Sequence, residues 1–327
     1  MQNSEFRPLM KIAGPVILAE VGWMSMGLVD TIMVGPLGPA AIAATGMGSG
    51  VFTAIVIFGM GLMLGLDAFV SQSHGAGNDR ECLLWLHQGV WLACCVAPMV
   101  MALTWIVYST LDQWGLHPET GRLVGPYMRA IAFSALPLLL YAAFRRYLQG
   151  MHLVRPIMVA LVTANAINAA ANWVLIYGHL GMPALGVEGS AWATNAARAY
   201  MAAFLYVAIR LEHRRRGHRH PKVDLGLDLA RIRRLIALGF PAASQVTLEV
   251  GVFALATALA GRLDPVASGA HQIALNIASL AFMVPLGLSS SAAVRVGYAF
   301  GAGDLRRAAL AGWTALAIGC VIITALG

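Results

Sequence analysis

Charged residues are scarce in this chain. Asp, Glu, Lys and Arg together make up 11% of its 327 residues, against about 25% in ordinary soluble domains. Hydrophobic residues account for 59%, and the mean hydropathy is +0.72. Apolar runs longer than about 18 residues recur along the whole chain, which is typical of helices that cross a bilayer. The sequence therefore predicts an all-α, polytopic membrane protein.

The motifs of enzymes and metalloproteins are lacking as well. The four cysteines have no metal-binding spacing, and the Gly-Ala-Gly turns at 75–77 and 301–303 lack the GxxxxGK[ST] of a phosphate-binding loop. No nucleophile–base motif is present. No short apolar core with a small-residue cleavage site precedes the first long run, so we expect that run to be kept as a helix. The sequence therefore predicts no enzyme, no cofactor and no structural metal. Without a nucleotide-binding motif, an ion gradient is the expected source of energy for any movement of a solute across the membrane.

Nine spans are predicted, joined mostly by short connectors that contain Gly or Pro. One connector is long and polar, at 211–234, and is the one candidate linker. The predicted spans are 9–34, 44–70, 86–110, 124–148, 155–178, 186–210, 235–260, 268–296 and 306–327.

Lys and Arg predict the orientation of these spans. With the N-terminus in the cytoplasm, 18 of the 22 basic residues flank the inner ends, three flank the outer ends and Arg198 lies within the sixth span. The net charge of +7 is explained by this bias, and the cluster at 210–234 is expected to lie near anionic lipid rather than on nucleic acid. The N-terminus is therefore expected to lie in the cytoplasm.

The sequence contains an internal repeat. When the segment 15–80 is compared without gaps with the segment 241–306, 14 of 66 positions are identical. One repeat holds six helices, so the second copy is expected to enter the membrane in the same orientation as the first. Two such copies would be related by a two-fold axis along the membrane normal.

The repeat predicts the domain organisation. Residues 1–210 are expected to form a six-helix bundle, 211–234 a basic cytoplasmic linker, and 235–327 the first three helices of a second bundle. About nine helices are then present, and the second bundle is expected to lack its last three.

The first span carries a carboxylate that a membrane disfavours. Asp30 lies in the run 9–35, where a buried Asp costs roughly 2.5–3.5 kcal/mol on insertion scales. In the fifth span, Asn165, Asn168 and Asn172 are spaced by three and four, which places them on one helical stripe. Carboxamide and carboxylate oxygens suit a small hard cation. Hydrogen bonds between helices are the alternative role for the asparagines.

Glu249, near the middle of the seventh span, is a second candidate site. It can exchange a proton, hold a cation, or serve as a protonated hydrogen-bonding group between helices. The repeat aligns Asp30 with Ala256 and Glu249 with Trp23, so the two copies do not share their carboxylates. Each copy is therefore expected to supply a different polar site.

Four other polar residues lie within the spans or at their ends. Arg198 needs a counter-ion, for which Glu20 and Asp30 are both candidates. Asp67 is expected to reach water at the end of its span. His271 begins the eighth span, either as an interfacial polar cap or as a proton relay.

Several segments of the sequence resemble a known family. The segments 14–35, 168–183, 239–254 and 269–303 are similar to those of the multidrug and toxic compound extrusion (MATE) transporters, in particular the NorM-like bacterial branch. The likeness extends over essentially all of the chain. It implies two helical bundles around a central cavity, and export of cationic, amphipathic compounds in exchange for Na⁺ or H⁺, by what we expect to be a monomer.

The resemblance also implies site residues. Asp30, Asn168 and Asn172 match the polar cluster of the family's first bundle, and Glu249 matches the carboxylate of its second bundle. Glu20 and Arg198 are not part of the pattern. A lipid-linked saccharide flippase of the same superfamily and a non-transporting membrane module remain alternatives. A flippase is expected to need more intramembrane cations than Arg198.

Overall fold

A computed structural model describes residues 3–215, 226–260 and 265–326. This part of the chain contains helices and no strand, so the predicted all-helical fold is confirmed. The helices as far as Arg215 are α1 (Asn3–Val34), α2 (Pro39–Leu62), α3 (Gly65–Gly75), α4 (Asp79–Ser109), α5 (Pro118–Ala132), α6 (Ala135–Gly150), α7 (Arg155–Tyr177) and α8 (Val187–Arg215). Three more follow, α9 (Leu229–Ala260), α10 (Pro265–Gly301) and α11 (Leu305–Leu326).

The eleven described helices form nine rods, because two of the rods each consist of two helices in succession. The second span consists of α2 and α3, and the fourth consists of α5 and α6, which are bent by 48° at their junction. Among the described residues, six rods are long and apolar enough to cross a membrane, or seven when the bent pair is counted as one span. The predicted linker is helical at both described ends, since α8 runs to Arg215 and α9 begins at Leu229.

The breaks at 75–79, 150–155 and 301–305 lie at one end of the bundle, since the rings of His74, His152 and Tyr298 pack together there. This end is here called the basic end, after Arg80, Arg155 and Arg306 at the starts of the helices that follow the breaks. The start of α9 is fixed to α4 at this end. The side-chain amide of Gln88 donates to the Gly226 carbonyl at 2.9 Å, and its oxygen accepts from the Asp228 amide at 3.0 Å. Arg231 forms an ion pair with Glu81, and both side chains remain partly exposed.

Glycines allow the helices of the two repeat copies to pack very closely. A Cβ added to Gly61 in α2 would stand 2.5 Å from Ala243 Cα in α9, and a Cβ on Gly287 in α10 would stand 3.0 Å from Ile17 Cα in α1. In the alignment of the repeat, Gly61 matches Gly287 and Ile17 matches Ala243. The two contacts are therefore the same contact made twice.

A third contact, between α3 and α10, repeats in the same way. A Cβ on Gly75 would stand 2.0 Å from the carbonyl oxygen of Tyr298, and a Cβ on Gly301 would stand 2.0 Å from that of Gln72. The same alignment matches Gly75 with Gly301 and Gln72 with Tyr298. Two copies related by a two-fold axis make equivalent contacts at matched sequence positions, as these glycines do.

Replacing a contact glycine by alanine should destabilise the protein. In Gly61→Ala the new methyl group meets the backbone of α9, and such overpacking typically costs about 1–3 kcal/mol. Gly287→Ala should have a similar effect through Ile17. The measurement is the thermal unfolding midpoint of the purified protein.

Gly50→Ala is the matched control, because Gly50 lies in the same helix as Gly61 with nothing within 4 Å of its added Cβ. Its midpoint should stay at or above that of the parent, since alanine favours a helix over glycine. Equal midpoints for Gly61→Ala and Gly50→Ala would contradict the close contact.

Candidate functional site

The candidate site is centred on Asp30, whose carboxylate is buried between α1, α7 and α8. Asn168 and Asn172 project from α7, and their side-chain amides donate to Asp30 Oδ1 at 3.0 and 2.7 Å. The Asn172 amide also lies 3.2 Å from Asn168 Oδ1. The two asparagines meet Asp30 together because a separation of four places them on one face of α7. The structure thus brings together three of the predicted site residues.

Thr194, which the sequence did not single out, completes this cluster. Its hydroxyl donates to Asp30 Oδ2 at 2.9 Å and lies 3.1 Å from the Ser190 carbonyl, one turn earlier in α8. A lone threonine in an apolar helix carries little information, since its hydroxyl usually bonds within its own helix. The sequence contains one indication of its role. Ser190, Thr194 and Arg198 are spaced by four, so they share a polar face of α8.

The cluster offers oxygen atoms for a small cation. The Asp30 carboxylate receives hydrogen bonds from neutral donors only, among the residues described. Asn172 Oδ1 and Ser190 Oγ are buried and have no hydrogen-bond partner in the same set. Carboxylate, carboxamide and hydroxyl oxygens are the ligands of hard cations, and buried polar atoms are normally satisfied. The residues present therefore fit a cation such as Na⁺.

Arg198 lies one turn beyond Thr194 on the same face of α8. Its guanidinium donates to Ser134 Oγ and stands over the rings of Phe52 and Trp23, with centroid distances of 5.1 and 6.0 Å. No carboxylate of the described residues lies within 4 Å of it. Of its two predicted counter-ions, Glu20 is used elsewhere, and only Asp30 remains nearby.

Two ion pairs account for the other buried charges of the first eight helices. Glu20 pairs with Arg145, and Asp67 Oδ2 accepts from Arg146 at 2.9 Å. The expectation that Asp67 reaches water is wrong, because α10 covers this end of α3 and leaves Asp67 only 6% exposed. Arg145, which the topology count placed beside a span, is buried too.

The pair of Asp67 and Arg146 extends towards the second repeat copy. Arg146 also donates to Ser290 Oγ of α10 at 3.2 Å, and the amide of Gln149 lies 3.3 Å from the same hydroxyl. The ion pairs of Glu20 and Asp67 themselves lie within the first copy. The Ser290 hydroxyl thus links the pair of Asp67 and Arg146 to α10.

The remaining predicted residues lie apart from Asp30. Asn165 donates to the Gly22 carbonyl of α1 at 2.9 Å, which is the interhelical hydrogen bond named as its alternative role. Glu249 is half-buried on α9 and has no hydrogen-bond or ionic partner among the described residues. The side chain of His271 lies outside the described ones.

A cluster of rings lies at the basic end, around a turn outside the membrane-spanning segments. His152, in the turn between α6 and α7, is 5.7 Å from the His74 ring and 4.9 Å from the Tyr298 ring. Asp79 lies 4.0 Å from His74. Burial, followed by the charges of His74 and Arg295, lowers the pKa of His152 to about 4. The cluster therefore packs with His152 neutral.

Comparisons with known proteins agree with this architecture. The MatE family model matches residues 15–174 and 241–327. The chain is 33% identical over 327 residues to "Probable multidrug resistance protein NorM" of Mesorhizobium japonicum, covering 99% of this chain and 70% of that protein. It is 33% identical over 322 residues to multidrug resistance protein MdtK of Yersinia pseudotuberculosis, covering 97% and 70%.

Solved structures show the same fold. The eukaryotic MATE transporter AtDTX14 superposes with a TM-score of 0.85 at 20% identity, covering 96% of this chain and 69% of that one. A MOP superfamily transporter from Pyrococcus furiosus superposes with a TM-score of 0.80 at 20% identity, covering 97% and 70%.

A helical membrane bundle built from two repeat copies, with a buried polar site around one carboxylate, is typical of membrane transporters. Within that class, the chain belongs to the MatE family of multidrug efflux transporters, as the family match and both relatives show. The resemblance inferred from the motifs is thereby confirmed.

The ion pair of Glu20 and Arg145 should be strongly coupled. Glu20→Gln leaves Arg145 as a buried unpaired charge, which typically costs about 3–5 kcal/mol. Arg145→Met should cost a similar amount by leaving the carboxylate, whereas the double variant removes both charges. Unfolding free energies of the parent, both single variants and the double variant form a double-mutant cycle. Additive losses would show that the two residues do not interact.

Stability should fall in acid because of His152. The unfolded chain binds a proton at histidine's ordinary pKa of about 6.5, whereas folded His152 binds one only near pH 4. As the pH falls from 6.5 towards 4, the unfolded state takes up more protons, so the unfolding midpoint should drop. His152→Asn should flatten this part of the pH profile.

The control for this prediction is His117→Asn, because His117 lies in the exposed turn before α5. This variant should keep the pH profile of the parent. A parent profile that is level between pH 6.5 and 4, or one that His152→Asn leaves unchanged, would contradict the assignment to His152.

Proposed function

We propose that this protein is a secondary active antiporter that exports cationic drugs and other toxic organic compounds in exchange for Na⁺ or H⁺. It works in a bacterial cytoplasmic membrane, as a monomer, with its N-terminus in the cytoplasm. The observation that carries the proposal is the buried Asp30 carboxylate, which is held by neutral donors and has no cationic partner among the described residues.

The chemistry of Asp30 favours a role in ion coupling. A carboxylate that only packed helices together would be most stable when paired, as Glu20 and Asp67 are. Asp30 instead accepts from two amides and one hydroxyl, all of which keep a second oxygen or lone pair for a ligand. A cation that enters here neutralises the Asp30 carboxylate.

Glu249 supplies the second copy's contribution. It is half-buried on α9 with no basic partner among the described residues, so it can pair with a substrate cation or with a coupling ion. The antiport cycle follows if ion and substrate compete for one carboxylate, or if each favours a different conformer of the two copies.

The alternative cargo receives less support. A flippase that holds a lipid pyrophosphate needs several cations free to face its cavity. Arg145 and Arg146 are each paired with a carboxylate, so they do not provide that surface. A non-transporting membrane module would export no cation, so gradient-driven export of an organic cation would exclude that alternative.

Export of a fluorescent organic cation such as ethidium from vesicles with an imposed Na⁺ or pH gradient tests the proposal. Asp30→Asn and Glu249→Gln should each slow export by about tenfold or more, which is the loss of roughly 1.4 kcal/mol or more of barrier lowering. Glu119→Gln is the control, since Glu119 is an exposed carboxylate at the start of α5. If both Asp30→Asn and Glu249→Gln export like the parent, the mechanism is wrong.

A further inference from the structure

Arg198 is a permanent positive charge within a membrane helix that is not paired with a carboxylate. The other two arginines of the first eight helices that are buried or half-buried each have one: Arg145 holds Glu20 and Arg146 holds Asp67. Among the described residues, no carboxylate lies within 4 Å of Arg198. A guanidinium in this environment is more stable beside a carboxylate than beside neutral groups alone.

The contacts that hold Arg198 are weaker than an ion pair. It has one hydroxyl acceptor, Ser134 Oγ, and two ring faces, Phe52 and Trp23. Its Nε is buried and has no hydrogen-bond partner in the described part of the chain. Hydroxyl and ring contacts bind a guanidinium less strongly than a carboxylate does. The guanidinium can therefore leave these contacts to pair with a carboxylate.

Asp30 is the carboxylate within reach. Thr194, which donates to Asp30 Oδ2, lies one turn before Arg198 on the same face of α8, and the charges of Arg198 and Asp30 act on each other. An arginine side chain has four rotatable bonds, so a change of rotamer moves its guanidinium along this face without moving the helix.

We propose that Arg198 is an internal counter-ion that competes with Na⁺ for Asp30. When Na⁺ binds among Asp30, Asn172 and Ser190, the guanidinium rests on Ser134, Phe52 and Trp23. When Na⁺ leaves, the guanidinium turns to Asp30. This inference rests on the proposed function, because it assigns a role within the coupling-ion site.

The exchange keeps the Asp30 carboxylate neutralised in both states, by Na⁺ in one and by the Arg198 guanidinium in the other. A carboxylate left without a counter-charge at this depth is costly, and that cost would oppose any conformational change made without the ion. A tethered cation removes the cost, at the expense of weaker Na⁺ binding. Arg198 therefore sets the affinity of the site for Na⁺ and acts as a positioning residue for Asp30.

Equilibrium binding of ²²Na⁺ to the purified full chain in lipid nanodiscs, at constant ionic strength, tests the competition. Arg198→Met should bind Na⁺ about tenfold more tightly than the parent, because the competing charge is gone. Arg198→Lys keeps the charge and should stay close to the parent affinity. Arg122→Gln removes an exposed arginine near the start of α5 and should change nothing.

Asp30→Asn should abolish this binding, and Arg198→Met should not restore it when the two are combined. Thermal unfolding of each variant shows whether the fold is kept. If Arg198→Met unfolds, Arg198→Gln replaces it, with the same expected tightening.

Fluorescence detects the movement itself. Trp23 lies 6.0 Å from the Arg198 guanidinium, so Na⁺ should change the tryptophan emission of the parent. The change should be lost in Trp23→Phe, which retains all the other tryptophans, and in Arg198→Met.

Three results would overturn the inference. Arg198→Met binds Na⁺ no more tightly than the parent, the parent shows no Asp30-dependent Na⁺ binding, or Na⁺ binds without any Trp23-dependent emission change. These failures differ from failure of the proposed function. Export by the parent with unchanged affinity in Arg198→Met refutes only the role of Arg198, whereas tightened binding without any gradient-driven export refutes only the antiport.

Discussion

Neutralising charge inside an apolar bundle is the constraint on which this structure depends. Glu20 and Asp67 meet it by pairing with the consecutive residues Arg145 and Arg146. Consecutive helical residues point about 100° apart, so α6 serves one carboxylate on α1 and another on α3. Both requirements are thereby satisfied by one turn of a single helix.

Asp30 has no ion-pair partner among the described residues, and this distinguishes it from the two carboxylates that stabilise the bundle. Its amide and hydroxyl donors orient the carboxylate without cancelling its charge. A group held in place but left charged can still respond to a ligand, whereas a paired one cannot without losing its partner. Arg198, one turn along α8, is near enough to act on Asp30 but is held by Ser134 and two rings.

The sequence predicted much of the fold and part of the site. The apolar runs predicted the rods, and the spacing of Asn168 and Asn172 predicted their shared face. The repeat already matched Gly61 with Gly287 and Gly75 with Gly301, which are the glycines at the closest contacts. These features were predictable because they depend on local periodicity or on similarity along the chain.

The rest depends on three-dimensional packing that the sequence does not encode locally. Glu20 and Arg145 are far apart along the chain, and no local pattern selects that pairing over one with Arg198. Asp67 was expected in water because it was judged from the end of its own span, but α10 covers it. Thr194 was missed because its role depends on which residue of α1 its hydroxyl faces.

The buried ion pairs also have a consequence for how the two repeat copies separate. The pair of Asp67 and Arg146 reaches α10 through the Ser290 hydroxyl, while the ion pair of Arg231 with Glu81, which also joins the copies, is partly exposed at the basic end. Water can replace a surface pair at little cost. These two contacts therefore oppose the parting of the copies only weakly. The close glycine contacts oppose it more strongly at first, since a gap of about 0.5–1 Å already loses a quarter to a half of the dispersion attraction. Such an interface resists the first movement of the helices most strongly, and the resistance falls as the helices move apart.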